Sequence, residues 1–165
     1  MNCSSCKKTR ELHKLSYTDR KYCTSCLVSL LERRIKKLFR EKNTPNLILK
    51  KEDSLEFDFA FFFLKKLFPR EEIKISNNGV KPSSLDEQAF LLLDAFINNK
   101  TLEKKTYFPE NILIEEMELL RDYIKSSNKP RFKNNKLLNE LKRNYPDVLF
   151  SILQSKLFLE TKSFL

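Results

Sequence analysis

Cys3-Ser4-Ser5-Cys6 and, after 16 intervening residues, Cys23-Thr24-Ser25-Cys26 decide how this chain is read, and they hold all four of its cysteines. Each CxxC turn aims two sulfurs at one point, and a loop of this length lets the two turns face each other. The spacing predicts a tetrahedral metal site on Cys3, Cys6, Cys23 and Cys26. Thiolates in this arrangement point to structural Zn2+. His13 is the single histidine, and it reads as a bystander because four sulfurs already fill such a site. Disulfides are the lesser reading. The N-terminus carries no apolar signal core, so the chain reads as cytoplasmic, where thiols stay reduced.

Working outward, the apolar period becomes helical at Leu27. Leu27, Leu31, Ile35 and Leu38 line one face, while Arg33, Arg34, Lys36, Lys37 and Arg40 fall largely on the other. Tyr17, Tyr22 and Leu15 are expected to cover the metal. The expected organisation is a four-cysteine module over 1–26, a basic helix over 27–44 and one further domain over 45–165. No apolar run approaches the roughly 20 residues of a membrane span, so no membrane association is expected.

The net charge of +10 is unevenly placed. Residues 1–42 carry 12 Lys/Arg against 4 acids, residues 125–145 carry 7 against 1, and the stretch between them is net acidic. Two basic ends around an acidic middle point to a polyanion partner, RNA before lipid. The candidate RNA contacts are Arg33, Arg34, Lys36, Lys37 and Arg40 on the helix, with Lys129, Arg131 and Lys133 in the second basic segment.

After Pro45, Leu47-Ile48-Leu49 reads as a short buried strand. A Phe-rich helix over 54–68 follows, with Asp53 and Ser54 as N-cap candidates. Glu72 to Ser76 is a second strand, and Asn77-Asn78-Gly79 a turn. Ser84 with Glu87 has capping-box spacing for the next helix. Residues 99–109 read as a polar loop, 111–126 as a helix, and Phe132–Asn144 and Pro146–Leu159 as two more helices. Strand, helix, strand in that order predicts a small parallel α/β unit.

These residues carry a resemblance. Cys23-Thr24-Ser25-Cys26 followed by Glu32-Arg33-Arg34-Ile35-Lys36-Lys37 resembles the N-terminus of tRNA 2-thiouridine synthetases, PP-loop ATPases that sulfurate a tRNA uridine. Ser84-Leu85-Asp86-Glu87-Gln88-Ala89 resembles that family's LDDEAQ helix start. Phe108-Pro109-Glu110, and Leu137 to Leu141 with Tyr145-Pro146, resemble its later segments. The resemblance implies an α/β fold: a four-cysteine zinc ribbon, then a reduced Rossmann-like PP-loop domain rich in helices. Where the family has SGGKDS, this chain reads Leu49-Lys50-Lys51-Glu52-Asp53-Ser54. Both phosphate-approaching glycines are lysines and the lysine is a glutamate, so Lys50, Lys51, Glu52, Asp53 and Ser54 form a degenerate nucleotide loop, and ATP is not expected. Active members hold an iron–sulfur cluster on three central cysteines. This chain has none after Cys26, so no cluster is expected. The segment between Ser76 and Pro82 is too short for the family's strand–helix units, and a second zinc module is missing.

No catalytic residue is expected. The function implied is a non-catalytic subunit that pairs with an active PP-loop paralogue and contacts tRNA during wobble-uridine thiolation. Two other readings stay open: a minimal active sulfurtransferase or adenylating enzyme, and a zinc-ribbon adaptor between proteins.

Overall fold

The computed structural model describes residues 2–42, 48–98, 107–109, 111–132, 136–145, 147–148 and 151. The expected helix over Pro146–Leu159 falls almost wholly outside them. Two antiparallel strands, β1 (His13–Lys14) and β2 (Lys21–Tyr22), form a hairpin between the CxxC turns. The helix α1 (Thr24–Lys42) starts inside the second turn. It buries Leu27, Leu31 and Ile35 completely, at the spacing that puts residues i, i+4 and i+8 on one face.

Next come β3 (Ile48–Leu49), α2 (Leu55–Leu67) and β4 (Lys74–Ile75), with β4 parallel to β3. The alternation Phe57, Phe59, Phe61 suits a strand, but Leu55, Glu56, Phe59, Ala60, Phe63 and Leu64 are the buried set, which is a helical face. Ser54 is the N-cap, accepting from the Phe57 N–H at 3.2 Å, whereas Asp53 is exposed and caps nothing.

β5 (Lys81–Pro82), α3 (Leu85–Ile97) and β6 (Tyr107–Phe108) repeat the pattern, again with parallel strands. The expected polar loop over 99–109 therefore ends in a strand, because Phe108 is buried in the main core. Val80 joins the two halves. Its N–H donates to Ile48 O at 2.6 Å, and its carbonyl accepts from Lys50 N–H at 2.9 Å. These bonds lie on the edge of β3 away from β4, where Ser76 N–H bonds Leu49 O. The strands thus run in the order β4, β3, β5, β6.

The link from β4 to Val80 is only Ser76–Gly79, although parallel neighbours ordinarily need a crossover of a dozen residues. The chain instead passes straight over β3. A Cβ on Gly79 would lie 2.4 Å from the carbonyl carbon of Leu49 and 2.6 Å from the oxygens of Ile48 and Leu49. The protein's single glycine stands where two backbones cross.

α4 (Ile114–Leu119), α5 (Arg121–Ile124) and α6 (Lys136–Asn144) complete the described elements. The expected helix 111–126 is broken at Leu120, whose N–H turns back to Met117 O. Of the helix expected from Phe132, α6 is the described part; Phe132 itself is not helical and packs its ring 5.6 Å from that of Phe90. Leu15 joins α1, α2, Phe108, Ile112, Met117 and Leu120 in one core, so the cysteine module is packed onto the rest. Leu15 and Tyr17 face this core, not the metal site.

Candidate metal centre and the filled cradle

The four sulfurs of Cys3, Cys6, Cys23 and Cys26 lie within 4.8 Å of one another, with Cys6 and Cys23 at 3.9 Å. Backbone geometry makes this convergence. Lys7 takes the left-handed conformation, φ 62°, and its N–H closes on Cys3 O at 3.0 Å. Ser4 N–H bonds Lys21 O at 2.8 Å, tying the first turn to the hairpin. Cys23 N–H donates to Cys3 Sγ at 3.4 Å. Hydrogen bonds from the Cys23 and Cys6 backbone, against burial, bring the Cys3 thiol down to about 6, so one thiolate is ready near neutral pH. His13 bonds Thr24 Oγ1 at 2.9 Å and is not a member of the sulfur cluster. The donor set suits a thiophilic metal centre, held by all four cysteines.

The hairpin tip is clamped at its far end. Ser16 donates from N–H and Oγ to Glu115 at 2.7 and 2.5 Å. Tyr17 OH donates to Glu116 at 2.5 Å. Glu116 is fully buried and also takes Arg34 Nη1 at 2.5 Å and the Leu113 N–H at 2.9 Å. Arg34 Nη2 reaches Asn111 O. Arg34, expected to face RNA, is therefore turned inward; it sits on the flank of α1 beside the buried stripe, within reach of α4. Burial, then the Glu116 charge, pushes the Tyr17 phenol well above its ordinary range.

A second inward arginine fills the place between β3 and α2. Arg131, also expected at the RNA face, pairs with Glu52, meets Glu87 Oε2 at 2.5 Å and donates to Pro82 O at 2.9 Å. Burial lowers its guanidinium from the ordinary value. Lys81 and Ser83 add to Glu87 at 3.0 and 2.8 Å, and Lys50 stands 3.7 Å from Glu52. Residues 129–132 form a strap over the start of α2. Leu55 N–H donates to Lys129 O at 3.0 Å, and the buried Glu56 carboxylate accepts from the N–H groups of Arg131 and Phe132 at 3.0–3.2 Å. In α/β sheets, ligands enter at the carboxyl ends of strands where the strand order reverses. Here β3 and β5 meet at that point, and the chain's own charges occupy it.

Of the other expected residues, Arg33, Lys36, Lys37 and Lys129 are exposed, as are Lys51 and Asp53 of the loop. Arg40 belongs to α1, with its side chain outside the described set, and Lys133 lies outside the described residues. Glu56 and Glu116 are not among the candidate residues of the sequence, and Glu87 is one only as a capping-box partner of Ser84. Ser84 Oγ does accept from Glu87 N–H at 3.2 Å, but the Glu87 carboxylate turns to Arg131 and does not complete a capping box. Asp86, fully buried, accepts from Ile114 N–H at 2.8 Å and pairs with Lys142, joining α3 to α4 and α6.

No protein-family model and no curated protein matches the sequence. Among solved structures, the U34-tRNA thiolase NcsA from Methanococcus maripaludis, described with its [4Fe-4S] cluster, is similar with a TM-score of 0.74, covering 96% of this chain and 88% of that one at 11% identity. This finding corrects the expectation of structural Zn2+ with no iron–sulfur cluster. A protein of this fold carries a cluster, and this chain gathers four thiolates, the donor set iron–sulfur clusters use. The expectation failed because thiolates are soft ligands that serve zinc and iron alike, and because only cysteines beyond Cys26 were weighed as cluster ligands. No helix among the described residues is long and apolar enough to cross a membrane. The chain is a mixed helix–sheet protein with four clustered cysteines and a fold like that of a tRNA thiolase.

Proposed function

We propose that this chain is a cytoplasmic, non-catalytic companion of tRNA thiolation, built on a reduced Rossmann-like PP-loop scaffold, which contacts tRNA and pairs with an active PP-loop subunit. The strap at the β3–α2 junction carries the reading. Where a PP-loop presents N–H groups to phosphate, Leu55 N–H is bonded to Lys129 O, and Glu52 is bound to Arg131. The N–H opening α2 and the side chain standing at the loop's lysine position are both engaged within the chain. Resemblance in fold to a U34-tRNA thiolase supports tRNA as the partner. The contact face is Arg33, Lys36, Lys37 and Arg40 of α1, with Lys129 and Lys133 from the second basic segment. Arg34 and Arg131 are spent inside the fold. The four thiolates hold a metal centre that fixes the N-terminal module.

Co-purification from native cells tests this, with sequencing of bound RNA and identification of bound protein. The expected result is tRNA together with a PP-loop protein whose glycine loop is intact. Recovery of the chain with neither would overturn the proposal.

A further inference from the structure

We propose that the first CxxC turn and the outer face of α1 form one contact strip for the phosphate backbone of RNA, assembled by the metal. This rests on the tRNA reading above and adds residues it did not use. Cys26, Ser29, Arg33 and Lys37 stand at i, i+3, i+7 and i+11, one face of a helix. The buried stripe of Leu27, Leu31 and Ile35 lies opposite. The thiol of Cys26 therefore points out on the basic side of α1. Because the other three sulfurs lie within 4.8 Å of it or of one another, the first turn must sit against that same side, at its N-terminal end.

Directly after Cys6 the chain carries Lys7, Lys8 and Arg10, all exposed. The turn's own backbone holds this segment, through Lys7 N–H to Cys3 O at 3.0 Å and Cys3 N–H to Lys8 O at 3.1 Å. Residues 2–10 include no acid, and none of Ser25, Ser29, Arg33, Lys36 and Lys37 is acidic. Glu32 lies on the flank and is paired with Lys66 at 2.8 Å. From Cys26 to Lys37 the strip runs about 16 Å at 1.5 Å per residue, roughly the rise of five stacked nucleotides at 3.4 Å each. A membrane surface is the poorer fit, because interfacial helices bury an apolar face in lipid and the apolar face of α1 is already buried in the core.

The two halves of the strip are held by different forces. Packing of Leu27, Leu31 and Ile35 fixes α1, while the first turn is held by the sulfurs and by the Ser4–Lys21 bonds to the short hairpin. Metal removal should then subtract the cations of the first turn alone. The test is the salt dependence of total-tRNA binding by the full metal-loaded chain, its K7A/K8A/R10A variant and its R33A/K36A variant. Each lost phosphate contact lowers the slope of log K against log salt by about 0.7–0.9. The triple variant should lose about 2 from the slope, chelated wild type should match it, and chelation should change the triple variant no further. Should chelation unfold the chain, as circular dichroism would reveal, the triple variant decides alone. A wild-type slope in the triple variant, with R33A/K36A still reducing it, overturns this strip and leaves the tRNA reading standing. Failure of the wild type to bind tRNA at all overturns both.

Discussion

Replacing Gly79 by alanine should damage this fold more than its half-buried, turn-like setting suggests. The added methyl meets three backbone atoms of β3 at 2.4–2.6 Å. None is the end of a flexible side chain, so the crossing segment must lift. Overpacking of this kind costs about 1–3 kcal/mol. Lifting the chain also strains the bonds made by Val80 N–H and carbonyl to β3, each worth about 1 kcal/mol net. Against this, alanine reduces the entropy of the unfolded chain and returns about 0.4–1 kcal/mol. The net expectation is a loss of about 3 kcal/mol, a large part of an ordinary stability of about 5–15 kcal/mol. For a chain of this size that lowers the melting midpoint by roughly 6–12 °C. Urea unfolding followed by far-ultraviolet circular dichroism measures it, with Asn78→Ala as the exposed neighbour, expected within about 0.5 kcal/mol of wild type. A G79A variant as stable as N78A would refute the reasoning, since the two backbones could not then cross as closely as described.

Other consequences can be checked on the same material. Glu116→Leu should cost about 3–5 kcal/mol by leaving Arg34 without its buried partner, and in the same urea titration R34M/E116L should recover only the part due to Arg34, since Tyr17 OH and Leu113 N–H still lack their acceptor. Arg131→Met should destabilise by a similar order and speed amide exchange at the start of α2, because Glu52 and Glu87 lose a shared counter-charge; unchanged exchange at Leu55–Phe57 would count against the strap. Since the Tyr17 phenol is raised in the folded state, its contribution is intact below the ordinary phenol value of about 10 and drains away as pH rises beyond it. Wild type should therefore lose stability above pH 10 more steeply than Y17F. Elemental and sulfide analysis of anaerobically purified protein should find metal that Cys3→Ser and Cys26→Ser variants lose; equal metal content in all three would remove Cys3, Cys6, Cys23 and Cys26 as its ligands.

Much of this molecule was legible locally. The CxxC spacing announced the sulfur cluster, and the 3.6-residue period of Leu27, Leu31 and Ile35 announced α1. Ser54 was a readable cap because its partner is three residues away. What was illegible lies at long range. Arg34 and Arg131 look like surface cations in sequence, and only contacts 82 and 44 residues distant, to Glu116 and Glu87, turn them inward. Glu56 in a Phe-rich helix was a visible oddity, a charge beside an apolar face, but its use as an acceptor for the strap depends on where residues 131 and 132 return. β6 was missed because two residues of strand have no period to read. The cluster chemistry was misread for a different reason: thiolate spacing reports a metal, and the sequence does not encode which one.

The most direct test of the central claim is mass-spectrometric counting of 2-thiouridine in tRNA incubated with the isolated chain, a sulfur donor and ATP, and again with an active PP-loop thiolase added. The account predicts no thiouridine from the chain alone and more with both proteins than with the thiolase alone. Thiouridine formed by the isolated chain would contradict it.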